Sequence, residues 1–428
     1  MEASNNLLRR RVQRKLQTDL KLELYFKNIA HCGTHPNESN GLILARRTDG
    51  KDAKFIGLNH CGNAWLCPNC APRAAEKTSR WIAGALEIAE ENHQKAFMIT
   101  LTIGHYRAVP LSLLLNALDT TFKRTFTQSK CKTSGYKFMK EFYADVPRQH
   151  FIKAIEITWS YQFGWHPHMH MLYFVNDSDW DKVLKWEEKL NTEWMKATQK
   201  YLTEHIQKTE FLSDETKAEM ISEVAKVYER KLDRTVGLHF SKDSNGALIK
   251  QVSSNYITGW GANKEMADKK AKTCKQPGHF SIMEILENAV ADDERNGSAK
   301  SKELNHWWKL YFEIGYAVYK KHSRWSWSHT GLKKQAQEWL EKLNEQEYKK
   351  KFMCAAKEIE WQTVCYIPSE LYDALCKTDN YFLEIEQKLL ELAIADDYEA
   401  ICNIFKERRL PEPPRNAFFE VKGILKAA

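Results

Sequence analysis

A chain of 428 residues has room for two or three domains with cores of their own. Its 43% hydrophobic and 28% charged residues describe an ordinary soluble protein, and the longest apolar runs, such as LSLLLNAL, fall far short of a membrane span. A net charge of +8 permits nucleic-acid binding without establishing it, and the Lys/Arg-rich start has no apolar segment behind it, so the expected compartment is a bacterial cytoplasm.

Residues 1–30 form a basic arm that carries RRRVQRK, either a segment that finds phosphates or a solvated helix face. Residues 31–72 change character, with Gly, Pro and Asn turns and short strand-like pieces at Leu42 to Ala45 and Phe55 to Leu58. Of the chain's 10 cysteines, Cys32, Cys61, Cys67 and Cys70 gather here. The Cys67-Pro-Asn-Cys70 turn can aim two thiolates at one ion, and Cys61 and Cys32 complete a four-thiolate zinc site, with His31, His35 or His60 as substitutes for a fourth ligand. A redox pair of this spacing belongs in a thioredoxin-like βαβ context, which this stretch lacks. Zinc here staples a module that has little core.

Residues 73–290 begin with a helix, Ala71 to Asn92, in which Ala74, Ala75, Trp81, Ile82, Leu86 and Ile88 recur at helical spacing. FMITLTI, Phe97 to Ile103, is a buried strand, and Leu111 to Thr127 is a helix after Pro110. Ile152 to Thr158 and His168 to Val175 then alternate as two strands of a hairpin. A turn centred near Gln162 places Glu156 opposite His168, and His170 projects the same way. Two imidazoles and a carboxylate on rigid backbone suit a divalent cation with positions left open for a substrate. His166 lies on the same face. Residues 179–233 are read as a nearly continuous helical insertion serving packing, and Thr235 to Ser241 as a last strand. The helix expected next carries SSNYITGWGANKEMADKKAK, with Tyr256, Trp260 and Lys264. Residues 300–428 are read as a helical C-terminal region. The 14 tryptophans are mostly packing residues, although aromatic faces of this kind also stack on splayed bases.

GWHPHMHML resembles the second motif of the HUH endonucleases, in particular the bacterial rolling-circle replication initiators. The Cys-rich segment resembles the one that precedes the nuclease domain in these initiators, through Gly57, Leu58, Cys61, Gly62, Trp65, Cys67, Pro68 and Cys70. FMITLTI stands where the family has its first motif and Tyr256 where it has its nucleophile; Trp327, Ser328, Gly331, Leu332 and Lys333 resemble the end of the conserved region. The likeness covers roughly residues 30 to 335. Family members usually carry Lys three residues after the Tyr, where this chain has Gly259, and some carry Glu one turn before it, where this chain has Val252 and Ser253.

The resemblance implies an α+β fold: an antiparallel sheet of about five strands with covering helices, a small N-terminal zinc module and a helical C-terminal region. It implies an enzyme that nicks and rejoins origin single-stranded DNA through a phosphotyrosine on Tyr256. Magnesium or manganese would sit on His168, His170 and Glu156, His166 would serve as a further ligand, phosphate donor or proton acceptor, and Lys264 and Trp260 would meet DNA. Expected partners are single-stranded and origin DNA, a host helicase and polymerase, and a second copy of the chain, with no membrane. Two other readings stay open: a single-strand transposase with the same active site, and a zinc-containing DNA-binding protein whose histidines are structural.

Overall fold

The computed structural model describes residues 8, 11–13, 15–16, 26–37, 41–51, 53–104, 106–126, 137–210, 212–229, 237–242, 245–249, 278–296, 304–319, 323–343, 361–377 and 382–415. Tyr256, Trp260 and Lys264 lie outside them. The fold is α+β, built from antiparallel sheets and many helices. The chain divides into two units, Met1–Arg73 with Leu286–Trp308 and Ala356–Ala428, and Ala74–Ile285 with Lys309–Ala355.

In the first unit the strands β1 (Leu42–Arg47) and β2 (Ala53–Ile56) pair antiparallel, close to where short strands were expected. Their third partner comes from the far end of the sequence. Strand β9 (Trp361–Ile367) lies in the stretch read as helical, and it pairs with β1 from Leu42↔Ile367 to Arg47↔Trp361. WQTVCYI is short, but its β-branched and aromatic residues favour a pleated surface over a helix. The helices Ser369–Lys377, Phe382–Ile394 and Tyr398–Glu407 then close over the sheet. Leu42, Leu44, Phe55, Ile367, Tyr372, Leu389, Ile401 and Phe405 share one core, so the strands on the N-terminal side bury their apolar face under the C-terminal helices. The basic opening segment is tied inward at two points. Lys15 is buried against the Asp293 carboxylate at 3.0 Å, and Gln13 donates to the Cys32 carbonyl at 2.7 Å.

The second unit is organised on a six-stranded antiparallel sheet, one strand more than expected. It contains β3 (Gln94–Thr102), β4 (His150–Ser160), β5 (Gly164–Asn176), β6 (Gly237–Phe240), β7 (His279–Ser281) and β8 (Trp325–Trp327). The order is β6-β3-β5-β4-β7, and β8 also pairs with β4. The extra strand fits because β7 takes Thr158–Ser160 and β8 takes Ile152–Ala154, which divides one long edge between two short partners. Residues 179–233 are less continuous than expected, with 3-10 turns to Trp186 followed by the helices Glu187–Gln207 and Asp214–Glu229.

Strand alternation sorts the two faces of this sheet. One face carries Phe97, Tyr173 and Phe151, with Phe97 against Trp180, Tyr173 against Phe142 and Phe151 against Phe122. The other carries Ala96, Met98, Ile152, Ala154, Leu172 and Phe174, packed against Ile82, Ala85, Leu86 and Ala89 of the helix Cys70–Glu91 and against Leu332 and Ala336 of the helix Leu332–Lys342. The Trp-Ser…Gly-Leu-Lys segment has a plain structural role on this side. Trp327 pairs with Ile152, and the Ser328 hydroxyl accepts the Phe151 N–H at 3.1 Å. Gly331, at φ +81°, caps the helix in the left-handed region, Leu332 enters the core, and the Lys333 ammonium lies 4.6 Å from the centre of the Trp81 ring.

Candidate metal centres and active site

In the β4–β5 hairpin Ser160 pairs with Gly164, so the turn is Tyr161-Gln162-Phe163. Gly164 has φ +72°, and a Cβ there would stand 2.8 Å from the Arg107 carbonyl oxygen, so this position demands glycine on both counts. The register that follows sets Glu156 opposite His168 and Ala154 opposite His170. Across the neighbouring ladder Thr102 faces His168 and Thr100 faces His170. On this face Ala154 still belongs to the core, while Glu156, two residues on, stands among polar side chains.

The ligand atoms of Glu156, His168 and His170 lie within 4.8 Å of one another. One carboxylate oxygen, Glu156 Oε2, receives both ring nitrogens, His168 Nε2 at 2.8 Å and His170 Nε2 at 3.2 Å. His170 is buried, and its Nδ1 meets the Thr100 hydroxyl at 3.2 Å. That contact fixes the ring as an outer-shell partner fixes a metal-bound histidine. His168 Nδ1 is buried without a hydrogen-bond partner. Two imidazoles crowding one carboxylate oxygen need either two protons or one cation between them, and the donor set of two nitrogens and an oxygen fits a divalent ion. His166 stays beside this group, its ring 5.4 Å from that of His168, and is not one of the three convergent ligands.

Two further residues around the group escaped the sequence reading. His239 on β6 pairs with Thr100, which puts it on the same row as His170 and about 10 Å away across two strand spacings. The alternation in Gly237-Leu238-His239-Phe240, with both neighbours buried, was its sequence signal. Arg324 accepts the Ile155 N–H on its carbonyl at 2.9 Å, and its guanidinium lies 4.7 Å from the centre of the Trp325 ring. Burial pulls this arginine down to about 10, against the attraction of the Glu156 carboxylate. Nothing in the sequence links positions 156 and 324, because only the β4–β8 pairing joins them.

The turn end of the hairpin is anchored by a half-buried acid. Glu313 Oε1, on the helix His306–Val318, accepts the Trp165 indole N–H at 2.9 Å and the Leu111 N–H at 3.3 Å. Burial raises the Glu313 carboxyl above the ordinary carboxylate range. In the unfolded chain the group ionises first, so the folded form binds more protons between the two pKa values and stability falls as pH rises through that window. Glu313→Gln keeps an acceptor and removes the charge. Its stability relative to wild type, read by denaturant unfolding across pH, is expected to gain from the ordinary carboxylate range upward and then level off. A difference that is flat with pH counts against a raised carboxyl at Glu313.

The four cysteines Cys32, Cys61, Cys67 and Cys70 form the second group. Their sulfurs stand 3.5 Å apart for Cys32 and Cys70, 3.6 Å for Cys61 and Cys70, and 3.6 Å for Cys67 and Cys32. These separations exceed a disulfide's and approach the roughly 3.8 Å expected of sulfurs set about 2.3 Å from one tetrahedral ion. Backbone N–H groups point at the sulfurs, Cys70 N to Cys67 Sγ, Cys61 N to Cys32 Sγ and Asn63 N to Cys61 Sγ, each at 3.4 Å. Such donors favour thiolates, while the sulfur–sulfur hydrogen bonds hold the Cys32 thiol far below its usual range and push those of Cys61 and Cys67 above theirs. His31, His35 and His60 are not among the four converging ligands. His60 instead bonds the Cys32 and Cys70 sulfurs, which raise its pKa, and it also meets Arg73.

No described helix is long and apolar enough to cross a membrane. Over 151 residues the chain is 30% identical to a protein of Streptomyces cyanogenus called Neomycin resistance protein, covering 32% of this chain and 34% of that one. Over 155 residues it is 28% identical to a Streptomyces lividans protein called Protein rep, again 32% of this chain and 34% of the relative. The chain thus spans about a third of the length of the curated relatives it matches. No family model and no solved structure matches it.

Proposed function

We propose that this chain initiates rolling-circle replication by nicking and rejoining single-stranded DNA at an origin, with Tyr256 as the nucleophile. The observation that carries the reading is the convergence of Glu156, His168 and His170 on one sheet face, with polar ground beside it in place of core. The distant similarity to the Streptomyces Protein rep agrees with it. The first unit contributes a four-thiolate zinc site on Cys32, Cys61, Cys67 and Cys70 that serves folding.

Magnesium or manganese held by Glu156, His168 and His170 would neutralise charge on the scissile phosphate. The remaining work falls to the chain's own groups. The Tyr256 phenol oxygen attacks phosphorus, the oxygen–phosphorus bond to the 3′ side breaks, and a 5′-phosphotyrosine and a free 3′ hydroxyl result. The phenol's ordinary pKa near 10 calls for a proton acceptor, and His166, beside the ligand group, takes that role. Lys264 and Trp260 hold flanking phosphate and base. Attack by the released 3′ hydroxyl on the phosphotyrosine reverses the step and rejoins the strand.

The test is a covalent adduct. A single-stranded origin oligonucleotide with a bridging phosphorothiolate at the nick site traps the intermediate, and mass spectrometry of the digested complex is expected to find the nucleotide on the Tyr256 peptide. Tyr256→Phe removes one oxygen and is expected to abolish the adduct while oligonucleotide affinity stays within about two-fold. An adduct on another residue, or undiminished labelling of the Phe variant, overturns the assignment.

A further inference from the structure

Arg324 brings a fixed positive charge to the sheet face that holds Glu156, His168 and His170. Trp325 pairs with Ala154, and Ala154 with His170, so Trp325 stands on the same face as the ligand group. The Arg324 guanidinium lies against that indole, 4.7 Å from the ring centre. Its main-chain carbonyl accepts the Ile155 N–H at 2.9 Å, which fixes the residue beside the strand position next to Glu156. Arg324 is partly buried, and the Glu156 carboxylate is close enough to offset some of the cost of that burial. The charges here do not close once the centre is loaded. With both imidazoles neutral, Glu156 and Arg324 cancel. A divalent cation on the three ligands takes up the carboxylate and leaves the arginine beside a centre of its own sign.

We infer that the Arg324 guanidinium binds the scissile phosphate, and that its charge couples metal binding to strand binding at this centre. The inference rests on the proposed reading of Glu156, His168 and His170 as a metal centre that cuts single-stranded DNA. A phosphodiester supplies the negative charge that cation and arginine together lack. Guanidinium suits the task, because its planar fork matches two phosphate oxygens and it sheds water more readily than an ammonium. The stack on Trp325 restricts the side chain before any strand arrives, so little freedom is lost on binding. A linkage follows. In the empty site the arginine repels the cation, and a phosphate between them removes that repulsion. Metal and strand therefore each tighten the binding of the other, by the same factor.

Manganese binding to the full chain, read from the paramagnetic resonance signal of free Mn(II), measures this linkage without any cleavage. His168→Ala supplies the background from other sites. Without DNA, Arg324→Gln should bind manganese about five-fold or more tightly than the wild type, because a like charge has been removed. A saturating 12-nucleotide single strand should tighten manganese binding to the wild type by about five-fold to a hundred-fold. The same strand should act on the Gln variant at least about five-fold less. Arg324→Lys keeps the charge without the fork, so its DNA-free metal affinity should match wild type and its coupling should be partial. Should the Gln variant fail to fold, Arg324→Met, which keeps an apolar stem over Trp325, replaces it. Manganese affinity that does not rise in the folded, uncharged variant overturns the inference, as does strand coupling that stays at its wild-type value. Either result leaves the cleavage reading intact if the wild type nicks. Coupling lost in the variant, with no nicking by the wild type, supports the arginine's role and removes the cleavage reading alone. Manganese binding that ignores His168→Ala overturns both.

Discussion

His168→Ala and His170→Ala are each expected to lower nicking of an origin single strand by about a thousand-fold or more, with origin binding nearly unchanged. The size follows from the several kcal/mol a bound cation contributes to a phosphoryl transition state, at about 1.4 kcal/mol per decade of rate. Either substitution also strips Glu156 Oε2 of one of its two ring partners, at 2.8 and 3.2 Å. A titration of wild-type activity with manganese after chelation should show full recovery, and neither variant should recover at any concentration tested. Glu156→Gln should shift the same titration to higher manganese. Wild-type rates from either alanine variant end the case for this centre.

The second large effect concerns the cysteines. Cys67→Ser and Cys70→Ser are expected to lose bound zinc and soluble folded protein together. The local core explains why: Cys32, Cys67 and Cys70 cluster with Cys61 and few other side chains, so the sulfurs are themselves the buried centre of that region. Binding of a structural zinc contributes roughly 10 to 16 kcal/mol in small peptides, more than most domains have to spare. Elemental analysis at one zinc per chain in the wild type, and none in the variants, is the expected outcome. Purified wild-type protein free of zinc, yet folded, would contradict it.

Local pattern carried the reading of the second unit a long way. The period-2 alternation through His168 and His170, and a turn short enough to set the register, place Glu156 beside His168 because a hairpin leaves its chain few other pairings. The cysteine spacing likewise names its own ligands. What sequence could not supply came from distant pairings. β9 joins β1 only through tertiary contact, and seven residues of WQTVCYI amid charged, helix-prone neighbours give little local signal. Arg324 approaches Glu156 through β8, a strand of three residues. The helix expected to carry Tyr256 lies outside the described residues, so its nucleophile rests on motif order and on the adduct experiment.

The β1–β9 ladder also sets a timetable. As the chain is synthesised, β1 and β2 leave the ribosome with Leu42, Leu44 and Phe55 lacking both an edge partner and their cover, and β9 follows about three hundred residues later. At about 5 to 20 residues per second that interval lasts roughly 15 to 60 s. Residues 74–285 are complete well before it ends, so the interrupted unit closes after the stretch that interrupts it. During that interval the nascent hairpin is an unpaired apolar strand edge, the kind of surface that chaperones hold and that neighbouring chains on a polysome can capture.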